Sequence, residues 1–432
     1  MNFTVDFTKE VGKIKPMHGI GQPPMYGVEP IYFHYLTEAN MPYSRLHDVG
    51  GLYGKNMYVD IPNVFRDFDA DENDPANYDF TFTDILMKGL VDAGCEPIYR
   101  LGVTIEPYQS YRAYRIFPPK DFAKWARICE HIIRHYNEGW ANGYELNVQY
   151  WEIWNEADAT DKIERNSMWK GTFEEFIDLY RVSTTYLKEK FPHLKFGGYA
   201  GCGFYHFGYG ELTEQAGIFK KHFIMFMDAV KKDNLPLDFF SWHHYTKPGA
   251  PVLEAGAAAC KYVRETLDEY GYTNTISMCN EWNVSFEQET RGKSKQCADS
   301  AGFMCLMQDT PVDIMCYYDA RIGESVYGGM FNPITHEPFC LYYGFVAFGK
   351  LYEMGTQVKT SNNYNGLYSV AATDGKKKGV IIANINEDIK LDTNLSPDMV
   401  LYIIDEDNML VPTEINPVHF TLKKNQVVYI EG

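Results

Sequence analysis

The segment Gln149-Tyr150-Trp151-Glu152-Ile153-Trp154-Asn155-Glu156 decides the architecture. It is a short apolar run of the kind that forms a buried strand, and it stops abruptly in a Trp-Asn-Glu cluster. Far downstream, Met278-Cys279-Asn280-Glu281-Trp282-Asn283 has the same design. Strand ends that carry acidic and amide groups are where α/β barrels hold their chemistry. Glu156 and Glu281 lie so far apart in the chain that only a sheet closing on itself brings them together.

Working outward, strand-like runs near 17–21, 43–49, 95–102, 148–155, 194–200, 238–245, 275–282 and 314–319 make eight. Between them, apolar residues recur at three- and four-residue steps over 82–93, 122–136, 173–191, 218–231, 252–270 and 296–307, the pattern of outer helices. Plausible helix caps are Thr83-Asp84, Asp121 after Pro118-Pro119, and Thr172 with Glu175 three residues later. The expected fold is therefore a (β/α)8 TIM barrel over residues 16–354. After residue 355 the pattern changes to short strands at 367–373, 379–384, 399–404 and 427–431, separated by Asp, Gly, Asn and Pro turns. Residues 355–432 are expected to form an accessory β-sandwich. Its remaining strand is expected from residues 1–15, where Phe3-Thr4-Val5-Asp6-Phe7 alternates apolar and polar.

The chain has 432 residues and a net charge of −18. That balance disfavours nucleic acid, anionic membrane surfaces and polyanionic glycans as partners and favours a neutral substrate. The first residues lack an apolar leader segment, and no run is long and apolar enough to span a bilayer. Nine cysteines without C-x-x-C spacing read as buried free thiols in a reducing compartment, so a cytoplasmic location is expected. No spacing of His135, His193, His206 or His336 suggests a metal site, and neither metal nor cofactor is expected.

Two carboxylates converging at a barrel mouth suit glycosidic bond cleavage. One group protonates the leaving oxygen, and the other meets the positive charge developing on the sugar. Glu156 ends the fourth barrel strand and Glu281 the seventh. The second strand ends in Arg45-Leu46-His47-Asp48. Alternation on the sixth places His243 and Tyr245 on one side and His244 toward the helices. Glu152, deeper in the barrel, reads as structural and needs a partner such as Arg45 or Arg100. Among the tryptophans, Trp282 is expected in the site and Trp151 in the core, with Trp154 and Trp242 open between the two. An isolated Trp-Asn-Glu would equally fit a helix first turn; the second motif argues against that.

Together, Trp-Glu-Ile-Trp-Asn-Glu, Asn-Glu-Trp-Asn, Arg-Leu-His, His-x-Tyr and the block from Tyr78 to Gly102 resemble clan A retaining glycoside hydrolases, most closely glycoside hydrolase family 39. The resemblance runs over roughly residues 15–355. It implies Glu156 as general acid/base, Glu281 as nucleophile, and Asn155 as donor to the sugar 2-hydroxyl. His47, His243 and Tyr245 would be contacts for the cleaved sugar, Tyr245 also orienting Glu281. It implies a retaining exo-acting hydrolase with a covalent glycosyl-enzyme intermediate, acting on an oligosaccharide or glycoside, with β-xylosidase as the leading activity. Alternatives are a glucosidase, galactosidase, arabinosidase or iduronidase, an endo-glycosidase, or a carbohydrate-binding barrel without catalysis. A homo-oligomer is left open. Where clan members carry a Trp at the end of the eighth strand, this chain has Tyr318. Arg321 and Glu324 follow, placed either to contact distal hydroxyls or, for Arg321, to pair with Asp319 or Glu324.

Overall fold

The computed structural model describes residues 1–49, 59–104, 116–209, 214–246, 253–323 and 325–432. Strand β1 (Asn2–Lys13) precedes eight parallel strands: β2 (Gly19–Gly21), β3 (Tyr43–Leu46), β4 (Glu96–Leu101), β5 (Tyr150–Ile153), β6 (Lys195–Gly201), β7 (Phe239–Tyr245), β8 (Ile276–Asn283) and β9 (Ile314–Tyr317). Pairing of β2 with β9, Gly19 to Cys316 and Ile20 to Tyr317, closes them into the expected barrel. The helices are α1 (His34–Glu38), α2 (Ile61–Val64), α3 (Thr81–Asp92), α4 (Phe122–Glu138), α5 (Phe173–Lys190), α6 (Glu214–Asp233), α7 (Glu254–Glu269), α8 (Ser294–Gln308) and α9 (Cys340–Met354). Among the described residues no helix is long and apolar enough to cross a membrane.

Local chemistry explains several helix starts. Thr172 and Glu175 form a reciprocal capping box on α5, and Asp121 accepts from the Lys124 N–H at 3.0 Å to start α4. Thr83-Asp84 is not a cap, because α3 has already begun at Thr81 and Asp84 sits in its first turn. Helix α9 has no counterpart in the sequence periodicity. Its residues are apolar nearly all round because it is packed on two sides, against α8 and against the C-terminal sheet.

That sheet comprises β10 (Thr356–Ser361), β11 (Leu367–Thr373), β12 (Lys378–Asn384), β13 (Ile389–Thr393), β14 (Val400–Asp405), β15 (Asn408–Thr413), β16 (His419–Leu422) and β17 (Gln426–Glu431). The sandwich expected from the sequence is realised as one curled, mostly antiparallel sheet in the order β15-β14-β17-β12-β11-β10-β1-β13-β16. Strand β1 joins its two parts, antiparallel to β10 and parallel to β13. Phe3, Val5, Leu391, Leu401, Val428 and Ile430 fill the curl.

Inside the barrel, Ile98, Tyr150, Phe239, Met278, Ile314 and Cys316 form an apolar plug. Two-residue alternation up each strand then exchanges it for polar groups: Ile98 to Arg100, Tyr150 to Glu152, Tyr43 to Arg45 to His47. A register shift between Gly198 and Gly201 of β6 interrupts the rule, and so does a bulge in β8. Trp242 pairs with Cys279 but His243 with Glu281, so Asn280 is an extra residue in β8. Strict alternation from Met278 would have turned Trp282 inward; the bulge turns Glu281 inward instead.

Gly349 tests the seating of α9. A Cβ there would lie 2.0 Å from the carbonyl oxygen of Ala39. Helix propensity alone favours Ala by about 1 kcal/mol, whereas overpacking costs about 1–3 kcal/mol. Gly349→Ala is expected to lower the urea unfolding midpoint; a raised midpoint would mean that this close approach does not hold.

Candidate active site

Arg45, from β3, is fully buried and organises the mouth of the barrel. Its Nε donates to Glu152 Oε2 at 2.8 Å, Nη1 to Glu281 Oε2 at 2.8 Å, and Nη2 to Asn155 Oδ1 at 2.6 Å. Glu152 also accepts from the Asn280 amide, which completes the structural role expected of it. Arg100 pairs instead with Asp60 at 2.7 Å. Because Arg45 can only donate, it fixes the flip of the Asn155 amide. The Asn155 Nδ2 is left buried and without a partner among the described residues.

Glu156, His243 and Glu281 converge so closely that a carboxylate oxygen of each glutamate and a ring nitrogen of His243 all lie within 4.8 Å of one another. His243 Nδ1 is 2.7 Å from Glu156 Oε1, and its Nε2 is 3.5 Å from Glu281 Oε2. The Tyr245 hydroxyl donates to Glu281 Oε1 at 2.6 Å. Both carboxyl groups are recessed yet reachable, 15% exposed for Glu156 and 9% for Glu281. Burial would lower the His243 pKa, but the charge of Glu281 and the hydrogen bond to Glu156 outweigh it and raise it. Burial raises Glu281, and the charge of Glu156 adds to that. Burial would raise Glu156 too, but the bond and charge of His243 bring it below its ordinary value. The free site therefore favours the protonated form of His243 and the ionised form of Glu156.

Backbone geometry marks the same place. Gln22, Asp48, Trp154, Glu156 and Ala200, all near the C-terminal ends of barrel strands, have φ of 51°, 55°, 68°, 47° and 55°. Non-glycine residues in the left-handed region cost about 1–3 kcal/mol each and cluster at functional sites. Glu156 is held there by its N–H, which donates to the Ala200 carbonyl at 3.1 Å.

The remaining expected residues divide. His47 is buried beside Asp48, with Nε2 3.2 Å from Oδ1. Tyr318 donates to Asp48 Oδ2 at 2.9 Å. Arg321 reaches Gln22, its Nε donating to Gln22 Oε1 at 2.7 Å. Glu324 lies outside the described residues. Trp282 is a correction: it does not face the site, because the β8 bulge directs it outward onto Phe303 and Tyr317, each at 5.1 Å. His244 points to the helices as expected, stacking on Phe303, and burial pushes its pKa down to about 3. Trp151 is core, stacked on Tyr99 at 5.2 Å. Trp154 and Trp242 are also buried, their indole N–H groups bonded to the Met168 carbonyl and the Ser277 hydroxyl.

A family-wide sequence profile, glycosyl hydrolases family 39, matches residues 40–292, more than half of the chain. The chain belongs to that family. A β-xylosidase of Geobacillus stearothermophilus is 25% identical over 200 residues, which cover 45% of this chain and 36% of the relative. A β-xylosidase of Caldicellulosiruptor saccharolyticus is 25% identical over 182 residues, 40% of this chain and 33% of the relative. The chain thus matches about a third of the length of these curated relatives. Among solved structures, a glucosidase from Croceicoccus marinus superposes with a TM-score of 0.80 at 21% identity, covering 100% of this chain and 98% of that one. A monomeric β-xylosidase from Caulobacter crescentus CB15 gives 0.70 at 16% identity, covering 100% and 99%. These superpositions extend the family's fold over both the barrel and the C-terminal sheet.

Sequence reasoning missed three members of this candidate site. Arg45 was legible as an inward residue two before His47 and was read only as a partner for Glu152. Asp48 stood in the quoted motif without a role. Gln22 carried no signal, since nothing in Gly21-Gln22-Pro23 announces contacts with Tyr318 and Arg321, which follow the last barrel strand.

Removing Arg45 leaves Glu152 charged and buried, a defect of about 3–5 kcal/mol. Arg45→Met is expected to show that loss in urea unfolding, and adding Glu152→Gln is expected to restore part of it. No recovery in the double variant would place the contribution of Arg45 elsewhere.

Proposed function

We propose that this chain is a retaining, exo-acting glycoside hydrolase that works by double displacement, with a β-xyloside as its leading substrate. The observation that carries the reading is the approach of Glu156 and Glu281 within 4.8 Å across the mouth of a family 39 barrel. Retaining enzymes hold their carboxyl groups about 5–5.5 Å apart, while inverting ones leave about 6.5–9.5 Å for a water. The two β-xylosidase relatives support xylose, and a net charge of −18 argues against an anionic glycan or nucleic acid as partner. The catalytic unit is assigned to residues 16–354, with 355–432 and 1–15 as the accessory sheet.

In this reading Glu281 is the nucleophile. Arg45 and Tyr245 donate to its two oxygens, which holds the carboxylate in place and favours its ionised form. Glu156 is the acid/base. The proton it delivers to the leaving oxygen passes along its 2.7 Å bond with His243 Nδ1. Attack of Glu281 on the anomeric carbon forms a glycosyl ester and expels the protonated leaving group. Esterification cancels the charge of Glu281, so Glu156 stays ionised and can take a proton from the water that hydrolyses the ester. Asn155 Nδ2, orphaned and aimed by Arg45, is the donor for the sugar 2-hydroxyl.

Proton NMR of the first-formed sugar is expected to show the substrate's own anomeric configuration; the opposite anomer would end the double-displacement reading. Glu281→Ala is expected to abolish turnover and to give an inverted glycosyl azide when azide is added. Glu156→Ala is expected to lose on the order of 10²–10⁴-fold with poor leaving groups and little with excellent ones. Activity near wild type in both variants would locate the chemistry elsewhere.

A further inference from the structure

Side chains that the carboxylate chemistry does not use form a line across the barrel mouth. Arg321 Nε donates to Gln22 Oε1 at 2.7 Å, and a second guanidinium N–H reaches the same oxygen. The Gln22 amide donates to the Tyr318 hydroxyl, and Tyr318 donates to Asp48 Oδ2 at 2.9 Å. Asp48 Oδ1 then lies 3.2 Å from His47 Nε2. Gln22, Tyr318, Asp48 and His47 are each more than nine-tenths buried. At the far end, His47 Nδ1 is buried and has no partner among the described residues.

The line has only one workable sense. An arginine cannot accept, so Gln22 must present its oxygen to Arg321 and its N–H groups to Tyr318. With its oxygen receiving, Tyr318 gives its own proton to Asp48. The carboxylate is thereby supported as an acceptor and can accept a hydrogen bond from the His47 Nε2–H. His47 is neutral: burial lowers its pKa well below the ordinary value, helped by the charges of Arg100 and Arg45 and by His243. A neutral imidazole has one N–H, so a proton on Nε2 leaves Nδ1 as a bare acceptor.

We propose that Asp48, held as an acceptor by Arg321, Gln22 and Tyr318, is a positioning residue that keeps the His47 proton on Nε2, so that Nδ1 accepts from a glycone hydroxyl. The ligand of this device rests on the glycosidase reading; the state of the ring does not. The substrate class follows from the polarity: glycones with a free, donating hydroxyl at that position are taken. Their deoxy, deoxyfluoro and O-methyl counterparts are refused. The stand-in of Tyr318 for a tryptophan then acquires a reason, since an indole could not pass a proton bond from Gln22 to Asp48.

The test has two arms. Burial and the charge of Glu281 push Asp48 up to about 7, while Tyr318, Arg100 and Arg321 draw it down, so spectra are taken at pH 8, where it is ionised. Nitrogen-15 NMR of the histidine rings, with the His47 signals identified by their loss in His47→Gln, is expected to show the Nε2–H tautomer. In Asp48→Asn, Tyr318 claims the amide oxygen and the amide N–H faces His47, so the ring is expected to switch to Nδ1–H. In Tyr318→Phe, Asp48 loses a donor and its pKa rises, so the switch is expected at a pH where the wild type has not switched. A wild-type Nδ1–H ring, or no switch in either variant, overturns the proposal.

In the kinetic arm, kcat/KM is measured on monodeoxy and monodeoxyfluoro aryl β-xylosides. At one position the wild type is expected to refuse both analogues equally, by roughly 10–100-fold. Asp48→Asn is expected to prefer the fluoro over the deoxy analogue there, because fluorine can accept from an Nδ1–H. Identical preferences in wild type and variant overturn the assigned use of His47. If the wild type cleaves no aryl glycoside, the glycosidase reading fails by itself, and the ring spectra still decide the tautomer.

Discussion

A single buried guanidinium carries the electrostatics of this barrel. Arg45 gives separate hydrogen bonds to Glu152, Asn155 and Glu281, three groups delivered by two other strands. Without it the Glu152 carboxylate would be buried with no opposing charge and Glu281 would face His243 alone, a strongly destabilising arrangement. With it, Glu152 becomes an anchor, Asn155 is turned to present its amide, and part of the cost of burying the Glu281 anion is offset. The chemistry of the mouth is therefore built on an ion pair one layer below it.

The bulge in β8 decides which side chain reaches that mouth. Inserting Asn280 lets two consecutive residues face inward, Asn280 onto Glu152 and Glu281 onto Arg45. The same insertion sends Trp282 into the layer between barrel and helices, where Phe303 and Tyr317 enclose it. A residue that alternation alone would assign to sugar contact is thus converted into packing. Left-handed backbone at Asp48, Trp154, Glu156 and Ala200 performs the equivalent re-aiming on the other strands. Such conformations persist because the surrounding hydrogen bonds over-determine them.

The C-terminal sheet is more than an appendage. It covers α8 and α9, and α9 has apolar residues on nearly every side because both the barrel and the sheet press on it. Strand β1 crosses the chain from its first residues to pair with β10 and β13, so the sheet is completed by the opposite terminus. The Asn394 side chain brackets Val5 from both sides, accepting from its N–H at 2.8 Å and donating to its carbonyl at 2.9 Å.

The sequence by itself determined the eight strands, the outer helices with a periodic apolar face, the change to β structure after residue 355, and the pair of acidic strand ends. Each of these is written in local pattern: runs, three-to-four-residue steps, turn residues, and two Asn-Glu dipeptides. It also carried the alternation that put His243 and Tyr245 on one side and His244 on the other. It could not carry α9, whose lack of a polar face reflects a second domain packed against it. Nor could it carry the direction of Trp282, set by one inserted residue in hydrogen-bond register. Nor did it place Gln22 against Arg321 and Tyr318, or raise the pKa of His243, since those follow from which distant groups end up within a few ångströms. Closure of the barrel decided them, because only there do hydrogen-bond polarity and charge act between residues with no proximity in the chain.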